Sequence, residues 1–568
     1  MPEGEECIVK YNGNIQSLAD SLGLEVDIIN ERYAIMVLTP KERQVLSENP
    51  QIEYIEVQKL LSLLTNPAIT AACITPVQRV DHGLTGEGVL LAVLDTGIDY
   101  THRDFRNENG TTRIIAIWDQ NAQGTPPPGF TIGNEYTSEE INAALNGSTE
   151  NIPLIDPVGH GTAVAGIAAG NGHASNGNYV GSAPGVSLLI VRLAQNISPY
   201  FTDDTNMMRG IKYAVDTAVA LNMPLVINIS YGTNQGSHDG RSLFEQYIND
   251  MSDRWKTSIV IANGNEGASG KHFQGYLDTG SVVDVQFAIQ GPLERLSITM
   301  LKYFVDNFRV QIIDGAGRSS DSFDLASDHT ILIGTEQIQV SVIQPTPYNA
   351  DQNVTLVFSD LNGNTLMATI WTIRISGISV VNGNINMWLP VTEISGVGTS
   401  FLRSQANTSL TIPATVQKAV SVGGYDSLNN TFASFSGRGF TISGVVKPEV
   451  CAPAVNVTSA SISGGYSSFT GTSIAAPITA GACALLMQWG IVNNNDIYMY
   501  GQRLKAFLEY GTVQHASYLE YPNPSWGYGT LCLKNSLDYA RTFMYRGLVY
   551  SLEQPDMEEI EDIIRNEE

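Results

Sequence analysis

Four runs of this sequence, GVLLAVLD, VSLLIVRL, PLVINISY and TSIVIAN, are apolar at nearly every position and no longer than a strand. A half-exposed strand would alternate apolar with polar residues. An unbroken apolar run instead describes a strand covered on both faces, the condition of a parallel sheet sandwiched by helices. Helical stretches lie around these runs: HGTAVAGIAAG, NMMRGIKYAVDTAVAL and SLFEQYINDMSDRW. Alternation of strand and helix predicts a doubly wound α/β domain. The pattern resumes at AVSVGGYD and closes with SIAAPITAGACALLMQWG and QRLKAFLEYG.

Two regions break the alternation. In residues 1–64, EECIVKY, NIQSLADSLGL, EVDIIN, YAIMVLT, PKERQVLSE and IEYIEV read as β-α-β-β-α-β, a ferredoxin-like α+β unit. Pro40 near the start of PKERQVLSE suits the first helical turn, where a missing N–H costs little. Residues 270–405 hold short β-rich runs such as SVVDVQFAI, FRVQIID and NVTLVFSD, separated by Gly, Asn, Asp and Pro turns. They predict an all-β sandwich or jelly roll inserted into the α/β domain, which then consists of 65–269 and 406–550. Residues 551–568 form an acidic tail to which no chemistry attaches.

The chain carries 31 Lys and Arg against 57 Asp and Glu, a formal charge of −26. Such a surface repels polyanions, which argues against nucleic acid and against an anionic membrane face as partners. The start, MPEGEECIVKYNG, has neither a basic segment nor an apolar one of signal-peptide type, and no run of membrane-spanning length is uninterrupted. The expectation is synthesis in the cytoplasm without a signal peptide and without membrane insertion. Five cysteines, Cys7, Cys73, Cys451, Cys483 and Cys532, are widely spaced and several sit in apolar runs. They are expected as buried free thiols, and no Cys/His cluster points to a structural metal.

Three segments carry chemistry. AVLDTGIDYTHRDF puts Asp95 at the end of a buried strand, DPVGHGTAVAGIAAG puts His160 at the start of a small-residue helix, and SFTGTSIAAPITAGA brings Ser473 into another. Singly, each has an ordinary explanation as a cap or turn residue. Together they lie where loops leave the parallel sheet, and they run in the order Asp, His, Ser found in subtilisin. With their glycines and proline, DTGID, GHGTAVAG and GTSIAAP resemble the three signature blocks of the subtilase family. The resemblance implies a serine endopeptidase: Ser473 as nucleophile, His160 as general base, Asp95 orienting the imidazole. SIVIANGNEG resembles the block that supplies a side-chain amide to the oxyanion, which places Asn265 in that role; Asn263 is the nearby competitor. NISYG resembles the edge that pairs with substrate backbone, giving Ser230, Tyr231 and Gly232. Ala262, Asn263 and Gly264 would form the opposite wall, with an extended peptide added between them. Tyr231 stands where relatives often have a smaller apolar residue, which alters the P4 side. The insertion begins where the P1 pocket would be completed.

The head resembles the subtilase propeptide, a folding chaperone and inhibitor. The segment after its last strand, VQKLLSLLTNPAIT, would lie in the groove and be cut at Leu64–Thr65, with Gln58 the alternative. Propeptide and β insertion together resemble the Csp germination proteases of clostridial spores. That implies a protein or peptide substrate, with the zymogen of a spore-cortex hydrolase as the specific case, a prodomain retained non-covalently, and association with the spore. Two alternatives stay open: a clostridial subtilase unrelated to germination, and a prodomain-locked pseudoprotease acting as sensor or scaffold. The triad requires no cofactor. Many subtilases bind calcium, and NGHASNGNYVGSAPG lies where one such loop sits, though it holds few carboxylates.

Overall fold

The computed structural model describes residues 4–57, 67–79, 83–147, 152–153, 156–195, 198, 200–515 and 520–553, with side chains as far as 543. They fall into two compact units divided after Leu64. The expected cleavage point Leu64–Thr65 and its alternative Gln58 lie outside the described residues.

The first unit is a four-stranded antiparallel sheet of β1 (Glu5–Tyr11), β2 (Asp27–Ile28), β3 (Tyr33–Leu38) and β4 (Ile52–Val57), in the order β2-β3-β1-β4. Alternation sets its faces: Cys7, Val9 and Tyr11 of β1 and Ala34, Met36 and Leu38 of β3 are buried, their neighbours turned outward. The helices Ile15–Leu22 and Pro40–Ser47 cross between the strands. The second starts with a reciprocal cap, in which Thr39 and Glu42 satisfy each other's backbone N–H.

The second unit is built on a largely parallel sheet. Its strands before the insertion are β5 (Leu90–Asp95), β6 (Ile114–Asp119), β7 (Asn134–Thr137), β8 (Ser187–Arg192), β9 (Leu225–Ile229) and β10 (Thr257–Ala262). The insertion contributes β11 (His272–Tyr276), β12 (Val282–Ile289), β13 (Arg295–Tyr303), β14 (Asn307–Ile313), β15 (Phe323–Asp324) and β16 (His329–Ile333). It continues with β17 (Glu336–Ile343), β18 (Asp351–Asp360), β19 (Thr369–Ser379), β20 (Asn384–Trp388) and β21 (Ser400–Phe401). After it come β22 (Val420–Asp426), β23 (Thr431–Phe432) and β24 (Val450–Pro453).

Strands β22, β10, β9, β5, β8 and β6 pair in parallel in that order, with β24 parallel to β22 and with β23 and β7 antiparallel at the margins. β6, IIAIWD, is a strand the sequence pattern does not single out. β5 lies between β8 and β9, so the chain winds outward from its centre and the loops at its carboxyl end part there, where doubly wound folds place their sites. One face is covered by the helices His160–Ala169 and Thr472–Met487, the other by Asp204–Leu221 and Leu243–Ser252. The segment Thr472–Val492 is long and apolar enough to cross a membrane and is wholly buried here as a core helix.

The inserted strands form two antiparallel sheets, β11-β20-β13-β18-β17-β16 and β15-β14-β19-β12-β21. Phe287, Ile298, Phe358, Trp371 and Ile373 lie in the apolar core shared between them. The ends of the insertion are drawn together: Phe401 N–H donates to the Gly270 carbonyl at 2.9 Å and Gln405 N–H to that of His272 at 2.7 Å.

One cysteine expectation is corrected. Cys73 and Cys532 form a disulfide across 459 positions, with Cα atoms 4.7 Å apart. The helix starting at Leu533 docks on the segment before Cys73, its first N–H donating to the Ala72 carbonyl at 3.0 Å. Fold, not spacing, brings the pair together. Cys7, Cys451 and Cys483 are buried free thiols, as expected.

Candidate active site

Asp95 ends the central strand and is fully buried. Its Oδ1 accepts from His160 Nδ1 at 2.7 Å and from Thr96 N–H at 2.7 Å. The carboxylate therefore holds the imidazole by one nitrogen and leaves Nε2 as the reactive one. Burial alone lowers the imidazole's pKa. The charge and hydrogen bond of Asp95, together with the charge of Asp156, outweigh it and the net shift is upward.

His160 opens its helix behind Gly159, whose φ of 82° needs glycine. Gly161 packs on the strand end: a Cβ there would lie 2.2 Å from the Gly97 carbonyl oxygen. Asp156, which the sequence reading passed over, fixes this junction. It is fully buried. Its Oδ1 accepts from Thr96 Oγ1 and Gly159 N–H at 2.8 Å each, and its Oδ2 from Thr162 N–H at 2.8 Å and Thr162 Oγ1 at 2.6 Å. Thr96 Oγ1 in turn accepts from Gly161 N–H at 2.9 Å. One carboxylate thus binds the residue after Asp95 to the helix that carries His160. The only sequence signal for it is an Asp shortly before a helix start.

Ser473 is the second residue of the helix Thr472–Met487, which packs against the histidine's helix. The N–H groups of the first helical turn have no partner within the helix, and the positive end of its dipole faces the site. Asn265 is oriented from one side only. Its Oδ1 accepts from Thr472 N–H at 2.9 Å and from Thr472 Oγ1 at 3.1 Å, so Nδ2 is turned the other way. A Cβ placed on Gly471 would lie 3.2 Å from Ser473 Oγ and 3.5 Å from Asn265 Nδ2. Hydroxyl and amide therefore share the space left by that glycine, where an amide donor can meet charge developing beside the nucleophile. Asn263, the competitor, is fully buried and donates inward from Nδ2 to the Gly437 carbonyl at 2.6 Å.

The two expected substrate segments flank this centre. Ser230 Oγ donates to the Ser473 carbonyl at 3.2 Å, and Gly264 N–H donates to Thr472 Oγ1 at 3.1 Å. Gly232 is exposed, Ala262 ends β10, and Tyr231 is half-buried against the α/β core. Asn263 serves the opposite wall from behind, its N–H bonded to the Val422 carbonyl and its carbonyl to Thr411 N–H. Glu266, one residue beyond Asn265, is held by the insertion: Thr392 N–H and Oγ1 reach its carboxylate at 2.9 and 3.0 Å.

The loop considered for calcium does not fit the ion. Asp104, the carboxylate beside it, already accepts from Ala174 N–H at 2.8 Å and from Tyr466 Oη at 2.7 Å. Calcium asks for six to eight oxygen ligands, and no cluster of three acidic, histidine or cysteine side chains stands there among the described residues.

Comparison with known proteins follows the same lines. The profile of the subtilase family matches residues 86–286 and 349–524, more than half of the chain, and that of the Csp protease B prodomain matches residues 3–59. The solved structure of the Clostridium perfringens CspB protease is similar at a TM-score of 0.78 and 36% identity, covering 84% of this chain and 98% of that one. The PI-type proteinase of Lactococcus lactis subsp. cremoris is 26% identical over 483 residues, 77% of this chain. The minor extracellular protease Vpr of Bacillus subtilis is 26% identical over 443 residues, 72% of this chain. The chain spans 25% of the first of these relatives and 46% of the second.

Proposed function

Because the chain belongs to the subtilase family, we propose that it is a serine endopeptidase acting on protein substrates through Ser473, His160, Asp95 and Asn265. One observation carries the reading: Asn265 is anchored by its oxygen so that its amide shares the Gly471 space with Ser473 Oγ, while Asp95 holds His160.

In the proposed reaction Ser473 Oγ attacks the scissile carbonyl carbon and its proton passes to His160 Nε2. Asn265 Nδ2 and the Ser473 N–H bind the oxygen that becomes negative. The C–N bond breaks, and His160 returns the proton to the departing amine. Water, deprotonated by His160, then attacks the acyl-serine carbonyl, and the acid product leaves as Oγ recovers its proton. Asp95, hydrogen-bonded to Nδ1, holds the ring in place and stabilises the imidazolium. The residues supply acid, base and nucleophile themselves, and no cofactor takes part.

The finer reading is self-processing after the first unit, near Leu64–Thr65, with the prodomain kept bound and with limited proteolysis of a spore-cortex hydrolase zymogen as the task in a spore. The Csp protease B prodomain match and the likeness to the C. perfringens protease support it. Fluorophosphonate labelling tests the catalytic reading. Wild-type protein is expected to label at Ser473, and Ser473→Ala and His160→Ala not to. Failure of the wild type to label after prodomain removal would instead favour the sensor or scaffold.

A further inference from the structure

The inserted sandwich is open along one side. One of its sheets ends there at β16 and the other at β15, and the two margins meet where Phe323 packs against His329. The turns on this side border a cavity of about 150 Å³. It is lined from the turn after β14, which carries Arg318, from the first residue of β17, Glu336, and from the stretch 366–371 that runs into β19.

The cavity sets a pair of opposite charges over an apolar floor. Arg318 is fixed from one side. Its Nε donates to Asp314 Oδ2 at 2.5 Å, and Asp314 Oδ1 accepts the N–H groups of Ala316 and Arg318 at 3.0 and 2.8 Å. The guanidinium lies against a glycine, since a Cβ on Gly334 would sit 2.1 Å from Nη1. Nη2 reaches Glu336 Oε2 at 3.4 Å, while Nη1 has no partner among the described residues. Glu336 has none there but Arg318. Leu366 and Trp371 are buried beneath, and Met367, 71% exposed, stands at the mouth.

Size and charge together narrow what fits. A void of this volume takes a molecule of about benzene's bulk, smaller than the ligands held by ordinary pockets of about 300 Å³ and more. Asp314 is already occupied by the turn, so one guanidinium edge and one carboxylate remain, side by side. A lone anion drawn to Arg318 would meet Glu336, and a lone cation drawn to Glu336 would meet Arg318. A molecule that carries both charges on neighbouring atoms satisfies the two at once. The Arg318–Glu336 contact is long and solvent-exposed, and exposed pairs contribute little, so a ligand can part them.

We propose that this cavity of the inserted domain binds a free α-amino acid with an aliphatic side chain. Its carboxylate would sit on Arg318, its ammonium on Glu336, and its side chain on Leu366, Met367 and Trp371. Charge-assisted hydrogen bonds supply the orientation and the apolar floor selects the side chain. The inference goes beyond the endopeptidase reading and does not rest on it.

Calorimetry on the full chain tests it with leucine and three relatives. Leucinamide lacks the carboxylate, N-acetylleucine lacks the ammonium, and glycine lacks the side chain. Leucine is expected to bind saturably with a Kd of about 1 mM or tighter, within reach of its roughly nine non-hydrogen atoms. Each relative is expected to bind about ten- to a hundredfold more weakly, the range for one charged hydrogen bond or one buried aliphatic side chain. Arg318→Gln should weaken leucine by the same factor and leave leucinamide unchanged. Glu336→Gln should do so for leucine and leave N-acetylleucine unchanged. Both variants should still cleave peptide at the wild-type rate. If Arg318→Gln lowers the melting temperature by disturbing the Asp314 turn, Glu336→Gln, which leaves that turn intact, decides. Weaker or unsaturable binding of leucine overturns the proposal, as do equal affinities for leucine, leucinamide and N-acetylleucine. Leucine binding that survives Glu336→Gln unchanged overturns it too, since the amino acid would then be held elsewhere, in the substrate cleft for example.

Discussion

Replacing Asn265 by Ala removes one donor from the transition state and little else. Asn265 is exposed, and among the described residues its Oδ1 accepts from Thr472, so water entering the space the side chain leaves can take up the buried Thr472 N–H. Folding stability should change by no more than about 1 kcal/mol. Nδ2 faces the oxygen only after that oxygen has gained charge, so its loss falls on kcat. A donor of this kind, measured in a subtilisin, contributes about 3 kcal/mol, which converts to about a hundredfold. Asn265→Asp keeps the acceptor for Thr472 but puts a carboxylate oxygen where the amide stood, and its loss should be larger. Steady-state kinetics on one peptide decides the matter, with thermal melts as control: kcat falls about a hundredfold, KM stays within about twofold, and the melting temperature holds. A raised KM with unchanged kcat would mean that Asn265 binds the ground state, and the assignment would fail.

Asp95→Asn should lower kcat by about four orders of magnitude, the scale seen when such a carboxylate is neutralised. It should also move the acid limb of the kcat/KM profile down: wild-type His160 titrates above 6.5 because Asp95 outweighs burial, so activity is lost as pH falls through a midpoint that the variant no longer holds up; an unmoved limb refutes the assignment. Breaking Cys73–Cys532 by paired serine substitutions should lower stability by about 2–4 kcal/mol in urea unfolding, and coincident curves would show that the bridge constrains nothing. Burial, with the charge of Glu449, pushes the Glu509 carboxyl up to about 7. The folded chain keeps a proton that the unfolded chain releases from about 4.5, so stability should fall as pH rises between these values, and Glu509→Gln should flatten that slope in melts at pH 5 and pH 8.

What the sequence discloses depends on how local the signal is. The strands around the site are apolar runs, and Asp95, His160 and Ser473 each sit where such a run meets a glycine-bordered turn or helix start. Asn265 is legible for the same reason, one turn past β10. Asp156 is not: its bonds go to Thr96, Gly159 and Thr162, and no period in the sequence relates those positions. Cys73 and Cys532 meet only because a C-terminal helix docks on the segment after the first unit. The bracing of Asn263 by Thr411 is hidden most completely, since Asn263 precedes the insertion and Thr411 follows it.

The pinched ends of the insertion have an engineering consequence. Gly270 and Phe401 face each other at the spacing of paired strands, so the chain leaves the protease and re-enters it through a port about one strand wide. Such a port accepts exchange. Another domain whose termini lie about 5 Å apart could be spliced between these two residues while Thr411 and Ile412 return in register to Asn263 and Thr233. The graft must replace what the insertion now supplies: the donors of Thr392 to the Glu266 carboxylate, the Leu389 carbonyl that accepts from Asn234 Nδ2, the Asn349 amide on Asp239 and the Trp388 ring stacked on His238. A reporter or a ligand-binding domain seated there would be joined covalently to the backbone that braces Asn263 and Thr233.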